Sequence, residues 1–191
     1  DARIFTGRLQ GSADISLKRG EPGHTAKIQV ENIDFPALTK LYFNYDTSQG
    51  MLSGNYDFSG RGDDVRTMQG HGNLSVVKGD VFAIPVFGPL SGILNGIVPG
   101  MGYNVARQAE ASFDVRDGVI TTGDFNVKGQ GFEMVGGGKV SIPDDRINFN
   151  IRINASGLPG VLLFPVSKLF EYTIDSPLSK PSWRPARAPS M

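Results

Sequence analysis

The strongest pattern along the chain has a period of two. Successive side chains of a β-strand point to opposite faces, so alternating apolar and polar positions mark a strand with one buried and one wetted face. Leu52, Gly54, Tyr56 and Phe58 alternate with Ser53, Asn55, Asp57 and Ser59. Ala109, Ala111, Phe113 and Val115 alternate with Gln108, Glu110, Ser112, Asp114 and Arg116. Ile147, Phe149, Ile151, Ile153 and Ala155 alternate with Asn148, Asn150, Arg152 and Asn154. Ala13, Ile15 and Leu17, then Ala26, Ile28 and Val30, repeat the pattern near the start.

Turn signals separate these runs. Asp117-Gly118 precedes Val119, Thr121, Phe125 and Val127, a hairpin signature. Lys78-Gly79 closes the run Leu74, Val76, and Pro143-Asp144-Asp145 joins Val140 and Ile142 to Ile147. This spacing predicts an antiparallel meander rather than a parallel α/β sheet. Glycines inside the runs (Gly70, Gly72, Gly129, Gly131 and Gly136 to Gly138) predict bulges, bends or close approach by another group. A strongly curved sheet uses all three.

Two or three short helices are expected. Asp34 can cap one, with Pro36 in its first turn and Leu38 and Leu41 facing inward. Phe87, Leu90, Ile93, Leu94 and Ile97 follow helical spacing. Gly88, Gly92 and Gly96 fall on the opposite side, where they permit close backbone contact. A third apolar segment, 161–170, includes Leu163, Phe164 and Phe170. From Pro177 the chain reads as an edge strand passing into an extended tail.

The length of 191 residues fits one domain over 1–191. Nineteen basic and nineteen acidic side chains cancel, so no long-range pull toward nucleic acid or an anionic membrane surface is expected, and neither is favoured as a partner. There is no cysteine, which excludes disulfides and thiolate chemistry. The chain begins Asp1-Ala2-Arg3 and reads as a piece of something longer, with any membrane anchor outside it. Residues 81–106 carry no charge, but their prolines and glycines argue against a spanning helix.

Candidate chemistry is sparse. His24 and His71 are the only histidines, too few for a zinc or nucleophile–base site, and His71 is expected on the polar face. Asp63-Asp64 and Asp144-Asp145 read as turn formers before calcium ligands. Gly70-His71-Gly72 and Gly129-Gln130-Gly131 have strands on both sides and no following helix N-terminus to hold a phosphate. Asp57, Glu110 and Asp114 lie on the polar face rather than converging in a cleft. No cofactor and no catalytic residue is expected. What remains is a large apolar face. The pattern alone favours a closed sandwich or barrel that absorbs it; the alternative is a sheet bent into a trough that leaves it for an apolar guest.

Residues 50–183 resemble the C-terminal region of the AsmA family of envelope proteins. The resemblance is carried by Gly50-Met51-Leu52-Ser53-Gly54, Phe58-Ser59-Gly60-Arg61-Gly62-Asp63 and Gly70-His71-Gly72-Asn73-Leu74. It continues through Lys78-Gly79, Ile84-Pro85-Val86-Phe87-Gly88-Pro89-Leu90, the run Ala109 to Gly118, and Gly136-Gly137-Gly138-Lys139-Val140 before the strand Ile147 to Ile153. It ends with Leu169-Phe170-Glu171-Tyr172 and Pro177 to Trp183. Residues 1–49 fit as preceding strands and a helix of the same sheet, and 184–191 as the tail.

The resemblance implies a mainly β fold: a curved antiparallel sheet forming an open, taco-shaped groove with two or three short capping helices. It implies a non-catalytic periplasmic module of an inner-membrane-anchored protein in a diderm bacterium, supporting outer-membrane lipid transport and envelope biogenesis. Phospholipid or other acyl chains would lie on Leu52, Tyr56, Phe58, Leu74, Val76, Phe113, Val115, Phe132, Met134, Val140, Ile142, Phe149, Ile151 and Ile153. Phe87, Leu90, Leu94, Ile97, Leu163, Phe164 and Phe170 would cap the groove or touch a membrane. The alternative is a closed β core whose edge strand or surface aids assembly of outer-membrane or other envelope proteins.

Overall fold

A computed structural model describes residues 1–16, 22–44, 49–84, 87–97, 106–155 and 170–186. They form one curved, unclosed sheet of eleven antiparallel strands, each hydrogen-bonded to its neighbour in sequence. The strands are β1 (Ala2–Ile4), β2 (Gly7–Ser16), β3 (Gly23–Asp34), β4 (Met51–Arg61), β5 (Gln69–Gly79), β6 (Ala106–Arg116), β7 (Val119–Lys128), β8 (Phe132–Ser141), β9 (Arg146–Ala155), β10 (Phe170–Pro177) and β11 (Trp183–Pro185). Two helices, α1 (Phe35–Phe43) and α2 (Gly88–Ile97), interrupt the meander. The expected tail is shorter than predicted, because Arg184 and Pro185 extend β11 along the sheet's last edge.

The alternation sets the register. The row Ala26, Phe58, Gly70, Val115, Ile120, Val140, Ile147 runs across the apolar face from β3 to β9. The row Lys27, Asp57, His71, Asp114 runs across the polar face. Cross-strand ion pairs on that face, such as Lys27–Asp57 at 3.3 Å and Arg152–Glu171 at 2.9 Å, are solvated and contribute little beyond register.

Two bulges keep the apolar face continuous while bending the strands. Glu31-Asn32 of β3 opposes Ser53 of β4, with Asn32 left-handed at φ 51° and its N–H donating to Ser53 Oγ. In β7 one extra residue at Gly123-Asp124 shifts the register against both β6 and β8. The Asp124 carboxylate accepts the Ser112 N–H at 2.8 Å and the Ser112 hydroxyl, so the disrupted ladder is satisfied.

The two rims of the sheet differ. One carries tight turns laced together: Gly118 N–H donates to Met68 O, Ile142 N–H to Gly118 O and Leu178 N–H to Asp145 O. Asp64, Asp144 and Asp145 work in these turns. Asp64 caps the short helix Val65–Thr67, and the two others accept hydroxyl protons from Ser141 and Ser179. The other rim carries the Phe5-Thr6 turn, α1, the short helix Val81–Ala83 and α2. Among the described residues no helix is long and apolar enough to cross a membrane.

Candidate functional site

The apolar face divides into two halves. Over β7 to β10, and at the helix-bearing ends of β4 to β6, it is covered by the chain itself. Val81 and Leu90 are buried there, with Phe82, Phe87, Ile93 and Trp183 packed against the same cluster. Phe87 stacks on Phe125 at 5.0 Å and 15°, and Phe149 meets Phe125 and Trp183 edge-on at 5.6 and 6.5 Å. Phe82 lies 6.5 Å from Phe132.

Of the residues expected to line a groove, Val76, Val115, Phe132, Met134, Phe149, Ile151 and Ile153 are therefore fully buried by protein, and Leu52 and Val140 are partly so. These positions are core, not open lining. The physical reason is local: residues 81–97 supply six apolar side chains, Val81, Phe82, Ile84, Phe87, Leu90 and Ile93, that fold back over strands that would otherwise be wet. Ile142 is not on the face at all. It follows Val140 in phase, but the chain has already turned, and the side chain is 45% exposed at the turn-bearing rim.

Over β2 to β6 the floor is only partly covered among the described residues: Ile33, Val76, Ala109 and Val115 are buried, but the stretch between them is open. Ile15 is 67% exposed and Leu74 44%, both on the apolar face. Ala13 is exposed, and Ala26, Ile28, Val30, Tyr56, Phe58, Ala111 and Phe113 are half-buried. Nothing here is polar except the Tyr56 hydroxyl, which burial holds above its ordinary pKa, and His24, whose ring meets Phe58 edge-on at 6.1 Å.

The glycines of β5 explain the floor's shape. Tyr56 lies opposite Gly72, and Phe113 opposite it from the other side. A Cβ at Gly72 would come within 2.8 Å of Phe113 Cζ, and one at Gly70 within 3.0 Å of the Tyr56 ring. The two glycines thus let the rings lie low across the sheet. Tyr56 then stacks on Phe58 at 5.1 Å and 24° and tilts against Phe113 at 5.5 Å. The result is a shallow aromatic bed. From β2 to β6 it spans four strand spacings, roughly 19 Å, comparable to an extended fatty acyl chain.

The capping segments behave as half expected. Phe87 and Leu90 do cover the face. Gly92 faces open space rather than another backbone. The side chains of Leu94, Ile97 and Phe170, and residues Leu163 and Phe164 entirely, lie outside the described residues. On α1 the inward residues are Phe35 and Thr39, one helical turn apart, which turns Leu41 outward at 63% exposure.

Elsewhere, His71, Asp57, Glu110 and Asp114 sit on the polar face, with Asp57 paired to Lys27 and Glu110 accepting from Gln108. No group of three or more metal-ligating side chains comes together among the described residues. Ile15, Ala26 and Ile28 belong to the exposed floor although the expected lining began only at Leu52; their alternation was the signal. In comparisons with known proteins, no family model, no curated protein and no solved structure matches this chain.

Proposed function

We propose that this chain is a non-catalytic lipid-holding module whose site is the uncovered half of the trough. One observation carries the reading: a contiguous apolar floor over β2 to β6, with Ile15 and Leu74 exposed around the Tyr56–Phe58–Phe113 bed. A floor of this kind binds apolar matter by removing it from water. Each buried methylene contributes about 0.8 kcal/mol, so a long acyl chain offsets the cost of its own ordering. The head group stays in water at the rim. The resemblance of residues 50–183 to the AsmA family supports a phospholipid cargo and a periplasmic setting within an inner-membrane-anchored protein.

The test is solvent extraction of the purified chain followed by mass spectrometry of the extract. Phospholipid at close to one molecule per chain is expected, falling at least tenfold in Phe113→Asp. An extract without acyl lipid overturns the reading.

A second reading, an assembly factor acting by strand addition, has one observation in its favour. β1 pairs only with Gly7 to Leu9, so Gln10 to Ser16 of β2 have no strand on their outer side among the described residues. A lipid-free chain that captures β-strand peptides at this edge would favour it.

A further inference from the structure

The two ends of the sheet are finished differently. β11 closes one end with a strand of three residues that carries Arg184 and Pro185, features that keep a sheet edge from pairing with another chain. β2 has none of these features beyond Leu9, where β1 stops. From Gln10 to Ser16 it holds no proline and no basic residue, pairs with β3 without a bulge, and carries Asp14 as its one charge. Gly11 to Ser16 are all exposed.

The hairpin fixes which backbone groups this edge offers. Phe5-Thr6 is a two-residue turn, so Ile4 and Gly7 beside it exchange both hydrogen bonds, and so do Ala2 and Leu9. The same parity carried along β2 turns the N–H and C=O of Gly11, Ala13 and Ile15 away from β3. Their side chains stand on the apolar face, opposite Ile28, Ala26 and His24. Among the described residues no strand takes up these backbone groups.

The edge is complementary to itself. A two-fold axis through Ala13, perpendicular to the sheet, lays β2 antiparallel to the β2 of a second copy. Gly11 then lies opposite the partner's Ile15, and Ala13 opposite the partner's Ala13, each pair exchanging both hydrogen bonds. The exposed Ile15 side chain gains a glycine as its cross-strand neighbour, as Phe113 has Gly72. On the polar face Ser12 meets the partner's Asp14, a hydroxyl against a carboxylate, in the row that Lys27 begins. A register shifted by one residue toward Ser16 would instead set Asp14 against the partner's Asp14, a like-charge pair.

We infer that this chain forms a two-fold dimer through Gly11 to Ile15 of β2, so that two sheets become one and their open floors meet at the seam. The axis keeps both apolar faces on the same side, and the covered halves fall at the two far ends. The inference needs no bound lipid, so extraction of lipid neither supports nor sinks it.

Sedimentation velocity of the purified chain tests it, with variants checked by circular dichroism for an unchanged β spectrum. A dimer is expected for the parent. Ala13→Pro removes an outward N–H and no bond to β3, so it should fold and sediment as a monomer. The chain has no cysteine, so one introduced thiol reports its own position. Under oxidation Ala13→Cys should give a covalent dimer, because the Cα atoms of a hydrogen-bonded pair lie about 5.5 Å apart. Ile15→Cys should not, because that position and its copy lie about 14 Å apart along the strands. A monomeric parent overturns the inference, whether or not it captures a β-strand peptide. So does a dimer that folded Ala13→Pro leaves intact, or crosslinking at position 15 equal to that at 13. Should Ala13→Pro fail to fold, the two cysteine variants decide the matter alone.

Discussion

Two phenylalanines on the same face have opposite fates. Phe149 is buried against Phe125, Phe87 and Trp183, whereas Phe113 lies half-exposed on the floor beside Tyr56. A charge at Phe149 has no partner and no water, so Phe149→Asp should cost more than about 4 kcal/mol and leave the chain unfolded. Phe113→Asp should cost under roughly 2 kcal/mol, since its carboxylate reaches solvent. Urea denaturation of the two variants checks the contrast. At Asp124 the hydrogen bonds from Ser112 hold the carboxyl below its ordinary pKa, although partial desolvation opposes them. The folded carboxyl therefore binds its proton more weakly than the unfolded one. Its stabilising contribution is full above the ordinary aspartate range and is lost as pH falls through the folded value. The urea midpoint of the parent chain should fall more between neutral pH and pH about 3 than that of Asp124→Asn. Equal falls would remove Asp124 from the account.

At the scale of elements, the alternating strands are legible because each period-two run is long and strongly patterned; Leu52 to Ser59 falls within β4 and Ala109 to Arg116 within β6, in phase throughout. The bulges are not. One extra residue at Asn32 or at Gly123-Asp124 looks in sequence like a lapse in alternation, and only the partner strand shows that the phase has been reset. The inward face of α1 was misread because Thr39, a polar residue, sits fully buried with its hydroxyl bonded to Pro36 O, while the apolar Leu41 points out. For α2 the spacing gives the helix, and the expected capping by Phe87 and Leu90 is what the packing shows. Its glycines weaken it intrinsically, so the packing of Leu90 and its neighbours must hold it in place. Leu90→Ala should lower stability by about 2–5 kcal/mol, measured by urea denaturation. It should leave lipid loading at Phe113 unchanged, because α2 covers the other half of the face. A loss of loading equal to that of Phe113→Asp would join the two halves into one site.

For the whole molecule, period two states that a face is apolar but not what covers it. A closed barrel, a filled trough and an open one share the same alternation, and this sheet combines the last two: Met134 and Ile153 sealed at one end, Ile15 and Leu74 bare at the other. Both α1 and α2 enter from one rim, because alternate connections of an antiparallel meander emerge on alternate rims, and among the described residues the longer connections lie on that side. Net charge near zero keeps the molecule from acting at a distance, so binding in the trough is a short-range matter of apolar contact.

The most direct test uses a photoreactive benzophenone side chain placed in turn at Leu74 and at Ile142. These positions are almost equally exposed, 44% and 45%, but only the first lies on the open floor. After irradiation in lipid-containing extract, intact-mass spectrometry should find a phospholipid adduct at position 74 and none at position 142. No adduct at 74, or equal adducts at both, would contradict an acyl chain bound in the uncovered half of the trough.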